Sequence, residues 1–288
     1  MQRKGGRAMQ WRYIHTGSRP PAENMAIDEA MLIAHSEGGT PPTVRFYGWN
    51  PPTLSIGYFQ RAEREVDLQM VRGRGVGFVR RATGGRAVLH DQELTYSIIV
   101  SESYPGVPKS VTEAYRVLSS GLLHGFRKLG LDAVMVGLAK TDGDSAGIPA
   151  DVSSACFDSP SRYELVVEGR KIAGSAQMRS KGVILQHGSV LLDVDTDLLF
   201  DLLRFSSVRA KDRMKQSFKE KAAAINTCLA EKGKPPITIK DAEEAFRDGF
   251  AEGLDAELAE DEMTGYEQGL AQRLLEQKYS TDDWNFRR

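Results

Sequence analysis

The 288-residue sequence has only two cysteines and almost no net charge. Two cysteines are too few for a disulfide scaffold, and no CxxC pair or Cys/His spacing indicates a zinc site. A formal net charge of −1 provides no basic excess to neutralise a phosphate backbone, so no nucleic acid partner is expected. No segment approaches the roughly 20 apolar residues of a membrane span or has the form of a signal peptide. We therefore expect a cytoplasmic protein without a membrane partner.

The composition is that of an ordinary globular protein, 41% hydrophobic and 27% charged, so a core of normal size is expected. Residues 1–9, with Gly5-Gly6 and mixed charge, predict a flexible tail. Residues 137–153 are rich in Gly, Asp, Ser and Ala and predict a long loop. The sequence carries no signal for an oligomer, and we expect a monomer.

Strands and helices are mixed without strict alternation, which predicts an α+β domain followed by a helical C-terminal portion. Ser110 and Glu113 predict a capping box, and apolar residues from Ala114 to Leu129 recur at helical spacing after it. A second helix is predicted over residues 21–35, and most of the chain after residue 196 is predicted to be helical. The predicted strands are residues 11–15, 43–49, 53–58, 75–81, 94–101, 163–167, 171–176 and 182–194.

Cys156 and Cys228 have different surroundings in the sequence. Cys156 follows a polar segment and precedes a predicted hairpin, away from any apolar stripe, so a nucleophile and a partly buried structural thiol both remain open. Cys228 lies three residues after Ile225 on a predicted helix, where free cysteine behaves as a small hydrophobic residue.

Lys171 follows the predicted Glu168-Gly169 turn. It is either a solvated turn lysine or a cation that stabilises a nearby thiolate, since thiols near cations titrate below their ordinary pKa of about 8.5. The spacing of Lys171 and Cys156 does not decide between these interpretations.

Residues 80–91, RRATGGRAVLHD, hold several candidate ligand-binding groups. Gly84-Gly85 permits positive φ and close backbone approach, Arg86 supplies a cationic fork, and His90 can donate or accept a hydrogen bond. A hairpin loop with solvated arginines explains the stretch equally well. It is not a phosphate-binding P-loop, and GRGVGF at residues 73–78 does not complete GxGxxG.

Two further features favour structural interpretations. His187 lies on a β-rich run, where a hydrogen-bonded structural histidine is favoured over a catalytic one. The charged run at residues 209–221 is most simply a solvated helix face, although it is also suited to an acidic carrier protein.

Taken together, several stretches resemble the lipoate–protein ligase A family, within the biotin/lipoate-ligase group. RRATGGRAVLHD at residues 80–91, NMAIDEA at 24–30 and RFYGW at 45–49 are similar to segments of the family as a whole. SACFD at residues 154–158, GRKIAGSAQ at 169–177 and GVILQHGS at 182–189 resemble its octanoyltransferase branch more closely. The resemblance covers the chain from about Trp11 to the C-terminus.

The resemblance implies an octanoyl-[acyl-carrier-protein]:protein N-octanoyltransferase. In that branch the residue matching Cys156 forms the acyl-enzyme and the residue matching Lys171 lowers its pKa. The acceptor is a lysine of a lipoyl domain, that of the glycine cleavage system H protein, and no cofactor or metal is expected. The implied substrate-binding residues are Arg81, Thr83, Gly84, Gly85, Arg86, His90, Gly174 and Ala176. The catalytic domain is expected over residues 10–255, with a helical extension over 256–288 packed on it.

Three alternatives remain open. An amidotransferase of the same family would take octanoyl from the H protein instead of acyl carrier protein. An ATP-dependent lipoate ligase would proceed through an acyl-adenylate and need no thiol. A module that only binds lipoyl domains would keep the fold without catalysis.

Overall fold

Over residues 9–137 and 163–287, which the computed structural model describes, the chain forms eleven α-helices and twelve strands. The helices are α1 Pro21–Ser36, α2 Ala62–Glu65, α3 Leu68–Gly73, α4 Val111–Leu118, α5 Ser120–Lys128, α6 Thr196–Asp201, α7 Val208–Lys221, α8 Ile225–Glu231, α9 Ile239–Gly253, α10 Gly265–Leu274 and α11 Asp282–Asn285. A π-helical turn, Leu275–Tyr279, continues α10. The strands are β1 Met9–Arg19, β2 Thr43–Trp49, β3 Thr53–Ile56, β4 Gly77–Arg80, β5 Val88–His90, β6 Glu93–Ser101, β7 Val134–Gly137, β8 Tyr163–Val167, β9 Arg170–Lys171, β10 Ala173–Ser180, β11 Val183–Leu191 and β12 Ala256–Glu260.

The strands form one large sheet and two small ones. The large sheet has six strands in the order β10-β11-β6-β2-β1-β12, and the small sheets have the orders β4-β3-β5 and β7-β8-β9. Strand β1 runs parallel to β2 and β12, whereas β2, β6, β11 and β10 pair antiparallel in turn. Mixed sheets covered by helices confirm the predicted α+β class.

Helix α1 packs between the large sheet and α10. Its Ile27 and Met31 share an apolar cluster with Ile99 of β6, Leu185 of β11 and Leu270 of α10. The helix begins at Pro21, where the missing N–H has no intrahelical partner to lose. The predicted helix over residues 21–35 is therefore confirmed to within one residue.

Helices α4, α5 and α9 belong to the other main apolar cluster. The Ser110 hydroxyl accepts a hydrogen bond from the Glu113 N–H, as predicted. The reciprocal half of the predicted capping box is wrong, because the Glu113 carboxylate accepts instead from Tyr163 Oη at 2.6 Å and Arg116 Nε at 2.8 Å. A distant residue thus competes for the side chain that the local pattern assigned to the cap.

The β8–β9 hairpin turns at Glu168 and Gly169, whose φ angles are 51° and 78°. Positive φ at both central residues matches the twist of the flanking strands, and the predicted turn is confirmed. The predicted strand over residues 171–176 is wrong as one unit. Lys171 pairs with β8, whereas from Ala173 the chain pairs with β11 in the large sheet.

A helical extension was predicted over residues 256–288. Its first residues instead form strand β12, which adds to the edge of the large sheet. Helix α10 is then anchored by Arg12, which donates to the two Glu267 carboxylate oxygens at 2.6 and 3.2 Å. Both side chains are buried. A domain boundary at residue 255 stays a prediction.

Arg80 joins two segments that are far apart in the sequence. Its buried guanidinium donates to six backbone carbonyls, those of Gly57, Tyr58, Gln60, Trp284, Asn285 and Arg287. Trp284 Nε1 donates in return to the Arg80 carbonyl at 2.9 Å. The C-terminal residues 284–287 are therefore docked onto the segment from Gly57 to Arg80.

Cys156, residues 1–8 and most of the predicted loop 137–153 lie outside the described residues, and the predictions about them stay predictions. No helix in the described part of the chain is long and apolar enough to cross a membrane.

Candidate active site

A narrow slot crosses four neighbouring strands of the large sheet. About 360 Å³ of space, part of it open to solvent, lies among its lining atoms. Strands lie about 4.8 Å apart, so a path across four of them is roughly 14 Å long. The lining residues are Gly174, Ser175 and Ala176 of β10, His187, Gly188 and Ser189 of β11, Thr95 of β6, Tyr47 and Trp49 of β2, and, from α1 and residues 81–90, Met25, Arg81, Val88 and His90.

Small residues keep the slot open on β10 and β11. Gly174 and Ala176 flank Ser175 on β10, and Ser175 pairs with Gly188 of β11. A Cβ atom at Gly188 would come within 2.5 Å of the Gly174 carbonyl oxygen and 2.8 Å of Tyr96 Cε1. A larger residue at position 188 would therefore have to displace the backbone of the neighbouring strand β10 and the Tyr96 ring.

The predicted Gly84-Gly85 loop packs directly against the backbone of Gly57. Gly85 has a φ of 98°, and a Cβ atom at Gly57 would lie 2.1 Å from the Gly85 carbonyl oxygen. Arg81 Nη2 donates to the carbonyls of Gly84 and Arg86 at 3.1 and 2.9 Å, which fixes the loop from inside. The backbone freedom of glycine is thus required here for contact between two chain segments.

Arg81 and His90, both predicted to bind substrate, lie in the slot wall, but protein groups already occupy their polar atoms. Arg81 Nη1 donates to Ser55 Oγ at 2.7 Å, and Ser55 Oγ lies 2.7 Å from His90 Nε2. His90 Nδ1 lies 2.6 Å from Glu93 Oε1 and donates to that carboxylate. The His90 ring stacks on Trp49 with centroids 4.2 Å apart. These two residues shape the slot instead of presenting free polar groups to it.

Asp28 is the centre of a buried polar cluster that sequence reasoning did not identify. Its carboxylate accepts from Arg45 Nη1 at 2.7 Å, Tyr47 Oη at 3.0 Å, Ser97 Oγ at 2.8 Å and His187 Nδ1 at 3.0 Å. Burial alone would raise the pKa of Asp28, but Arg45 and the hydrogen bond from His187 outweigh it and lower that pKa below its ordinary value. The only signal in the sequence was the position of Asp28 within NMAIDEA.

His187 links this cluster to the glycine loop. With Nδ1 donating to Asp28, its Nε2 accepts from the Thr83 hydroxyl at 2.7 Å. Burial lowers the pKa of His187 although Asp28 acts in the opposite direction, so the ring is neutral at pH 7. Both ring nitrogens are hydrogen-bonded to protein, in line with the structural role favoured from the sequence.

The eight predicted substrate-binding residues thus divide into four that line the slot, three in the loop beside it, and Arg86, which is in neither place. Arg81, His90, Gly174 and Ala176 line the slot, whereas Thr83, Gly84 and Gly85 form the loop beside it. Arg86 does not line the slot; its guanidinium lies 3.7 Å from Glu65. The slot residues Tyr47, Trp49 and Thr95 were missed, because only the sheet order brings their strands to β10 and β11.

Lys171 ends β9, three residues before Gly174. Its Nζ donates to Glu164 Oε1 at 3.2 Å, and its carbonyl accepts from the Ala223 N–H at 2.8 Å. The side chain is buried, with 8% of its surface exposed, so it is not a solvated turn lysine. Contact between Lys171 and Cys156 stays a prediction, since Cys156 lies outside the described residues.

Cys228 lies on α8 with none of its surface exposed and belongs to the main apolar cluster. Burial raises the pKa of this thiol. The predicted structural role of Cys228 is confirmed. Among residues 9–137 and 163–287, no group of His, Cys, Asp and Glu side chains is arranged to hold a metal ion.

Known proteins resemble the chain over most of its length. Residues 20–251 match the lipoyl protein ligase A/B catalytic domain. A protein of Brevibacillus brevis named octanoyltransferase LipM is 61% identical over 97% of this chain and 99% of its own length. Its namesake in Bacillus subtilis is 53% identical over 96% of this chain and 98% of its own length.

Solved structures share the fold. The bi-partite lipoate protein ligase of Thermoplasma acidophilum, from an archaeal lipoylation system with an E2 lipoyl domain, is 28% identical and superposes with a TM-score of 0.76 over 96% of each chain. A lipoate-protein ligase A bound with ATP is 28% identical, with a TM-score of 0.73 over 97% of this chain and 99% of that one. The slot, the glycine loop and these matches agree with the resemblance seen in the sequence, and the chain belongs to the lipoyl protein ligase A/B catalytic domain family.

Proposed function

We propose that this enzyme carries an octanoyl group as a thioester on Cys156 during octanoyl transfer for protein lipoylation. The transfer reaction follows from relatives named octanoyltransferase, which are 53% and 61% identical to this chain over nearly its whole length. The thioester is the part of the proposal that goes beyond those relatives.

The observation that carries the proposal is the slot. It is long, narrow and lined mainly by apolar surface, and it begins three residues from Lys171 on the same stretch of chain. Each CH₂ group that enters such a slot contributes about 0.8 kcal/mol. An octanoyl chain is apolar and unbranched, which agrees with this apolar lining.

The chemistry divides into two acyl transfers. The Cys156 thiolate attacks the carbonyl carbon of the octanoyl donor, a new C–S bond forms, and the donor thiolate leaves and takes up a proton. The ε-amine of the acceptor lysine then attacks the Cys156 thioester, an amide forms, the amine loses a proton to water, and the Cys156 thiolate leaves. The first step exchanges one thioester for another and the second is downhill, so neither needs ATP or a cofactor.

Lys171 serves this chemistry as a cation. An ammonium beside Cys156 favours the thiolate over the thiol. The same charge would stabilise the oxyanion that develops on the acyl carbonyl in each tetrahedral intermediate.

Octanoyl-acyl carrier protein is the proposed donor, and a lipoyl-domain lysine, that of the glycine cleavage system H protein, is the proposed acceptor. The archaeal ligase of the same fold acts in a system with a lipoyl domain, which supports the acceptor class. We also propose that the enzyme is a monomer and acts in the cytoplasm.

The test is incubation with octanoyl-acyl carrier protein followed by intact-mass measurement. We expect one octanoyl adduct on the wild type, none on Cys156→Ser, an unchanged yield on Cys228→Ser, and loss of the adduct when H protein is added. If the adduct forms only from octanoyl-H protein, the donor is the H protein and not acyl carrier protein, and the enzyme is an amidotransferase. Full activity of Cys156→Ser with free octanoic acid and ATP would overturn the thioester in favour of a ligase.

A further inference from the structure

Lys171 is paired with a carboxylate on the neighbouring strand, Glu164 of β8. Lys171 Nζ and Glu164 Oε1 are 3.2 Å apart, and the exposed fractions of the two side chains are 8% and 18%. A buried ammonium needs a partner of opposite charge, and Glu164 supplies one. Neither the sequence pattern nor the proposed reaction assigns a role to Glu164.

The hairpin turn creates this pair. The tight turn at Glu168 and Gly169 places Val166 directly opposite Lys171. Glu164 lies two residues before Val166 and so shares its face of the strand. Diagonal neighbours on one face of an antiparallel pair lie within reach of long side chains. The turn sequence therefore fixes which carboxylate meets the lysine.

Within residues 9–137 and 163–287, the other charged groups near the hairpin are engaged elsewhere or belong to α7. Arg170, on the opposite face of β9, is bonded to Glu231 and lies 3.9 Å from Glu168. Glu168 also lies 3.2 Å from Lys232. Helix α7 ends at the exposed Lys221, next to Ala222, which forms a β-bridge with Lys171. Glu164 is thus the carboxylate that the register directs at Lys171.

We propose that Glu164 is a positioning residue for octanoyl transfer, which holds the Lys171 ammonium in one orientation. The inference rests on the proposed function. A lysine side chain has four flexible methylene groups, and a charge-assisted hydrogen bond from a strand of the same sheet restricts them to one direction. Glu164 acts only through Lys171 and touches no reacting atom.

The test compares Glu164→Gln, Glu164→Asp, Lys171→Ala and the Glu164→Gln/Lys171→Ala double variant in the full chain. We expect Glu164→Gln to slow octanoyl adduct formation by about tenfold, the scale of one charge-assisted hydrogen bond. The pH midpoint for alkylation of Cys156 should rise, and Glu164→Asp should restore part of the rate. In the Lys171→Ala background, Glu164→Gln should have no further effect, because Glu164 no longer has a lysine to position.

Glu168→Gln is the matched control, since it removes a carboxylate from the same hairpin that does not face Lys171. It should leave the adduct rate and the alkylation midpoint unchanged. Additive effects of Glu164→Gln and Lys171→Ala would indicate a merely structural role and overturn the inference, as would a midpoint that moves to lower pH. Failure of the wild type to form any Cys156 adduct would overturn the proposed function instead, so the two failures are distinguishable.

Discussion

Arg45 Nη1 donates to Asp28 Oδ1 at 2.7 Å, and both side chains are almost completely withdrawn from solvent, with 0% and 2% of their surface exposed. The pair joins α1 to β2 beneath Tyr47, which lines the slot. Because Asp28 also holds His187, and His187 holds Thr83, this ion pair supports one wall of the slot and the glycine loop together.

Asp28→Asn should destabilise the fold strongly. It leaves the Arg45 guanidinium buried without its counter-charge, and breaking a buried pair by removing one partner costs about 3–5 kcal/mol. We expect the free energy of unfolding in urea to fall by that amount. Asp197→Asn, which removes a carboxylate that is 74% exposed and paired with Lys215, should cost less than about 1 kcal/mol. Equal effects of the two variants would contradict a structural role for the buried pair.

Stability should fall on mild acidification. The pKa values of Asp28 and His187 are both lowered on folding, so in both cases the unfolded state binds protons at a higher pH than the native state. The contribution of His187 is therefore lost as the pH falls below about 6.5, and that of Asp28 as it falls below about 4.

Unfolding in urea at a series of pH values checks this. His187→Gln should be less stable than the wild type at pH 7, with a smaller decline between pH 6.5 and 5, as expected near the ordinary histidine pKa of about 6.5. Some decline should remain, because burial also lowers the pKa of His35. A decline identical to that of the wild type would mean that His187 does not contribute.

Ala176→Leu should block octanoyl binding without unfolding the chain. Ala176 lines the slot on β10, and three more carbon atoms there occupy space that the acyl chain needs. We expect octanoyl adduct formation to fall at least about tenfold, since the loss of two buried CH₂ contacts already has that size. A butyryl donor should be much less affected. Ala230→Leu, at an exposed position on α8, serves as the control; equal loss with butyryl and octanoyl donors would contradict a role in holding the acyl chain.

Lys171→Ala should raise the pKa of the Cys156 thiol by about one unit or more, because a cation beside a thiolate lowers its pKa by that range. The pH dependence of iodoacetamide alkylation, followed by peptide mass, measures this shift. Cys228 is an internal control, since it is fully buried and should react only on unfolding. An unchanged alkylation profile would remove Lys171 from the proposed mechanism.

The local parts of this structure could be predicted from the sequence. Helix α1 follows from its proline start and apolar spacing, and the β8–β9 hairpin follows from Glu168-Gly169, since each depends on residues close together in the chain. The paired glycines Gly84-Gly85 predicted a close backbone approach at this loop. They did not predict that Gly57 is the residue on which Gly85 packs.

The slot and the Asp28 cluster could not be predicted in the same way. Tyr47 and Trp49 reach the site only because β2 lies next to β6, and β6 next to β11, an order that no local pattern encodes. The half-formed cap at Ser110 has a similar cause, since Tyr163 takes the carboxylate that local spacing assigned to the cap. Long-range pairing decides these features, and one sequence gives no direct measure of it.

The ring of carbonyls around Arg80 has a consequence for synthesis on the ribosome. Asn285 lies 205 residues after Arg80, so at the usual 5–20 residues per second the arginine is made roughly 10–40 s before this partner exists. During that interval the Arg80 guanidinium has the carbonyls of Gly57, Tyr58 and Gln60 as partners but lacks the three carbonyls of residues 284–287. We therefore expect the region around Arg80, beside the slot, to reach its final structure only after the C-terminal residues have been made.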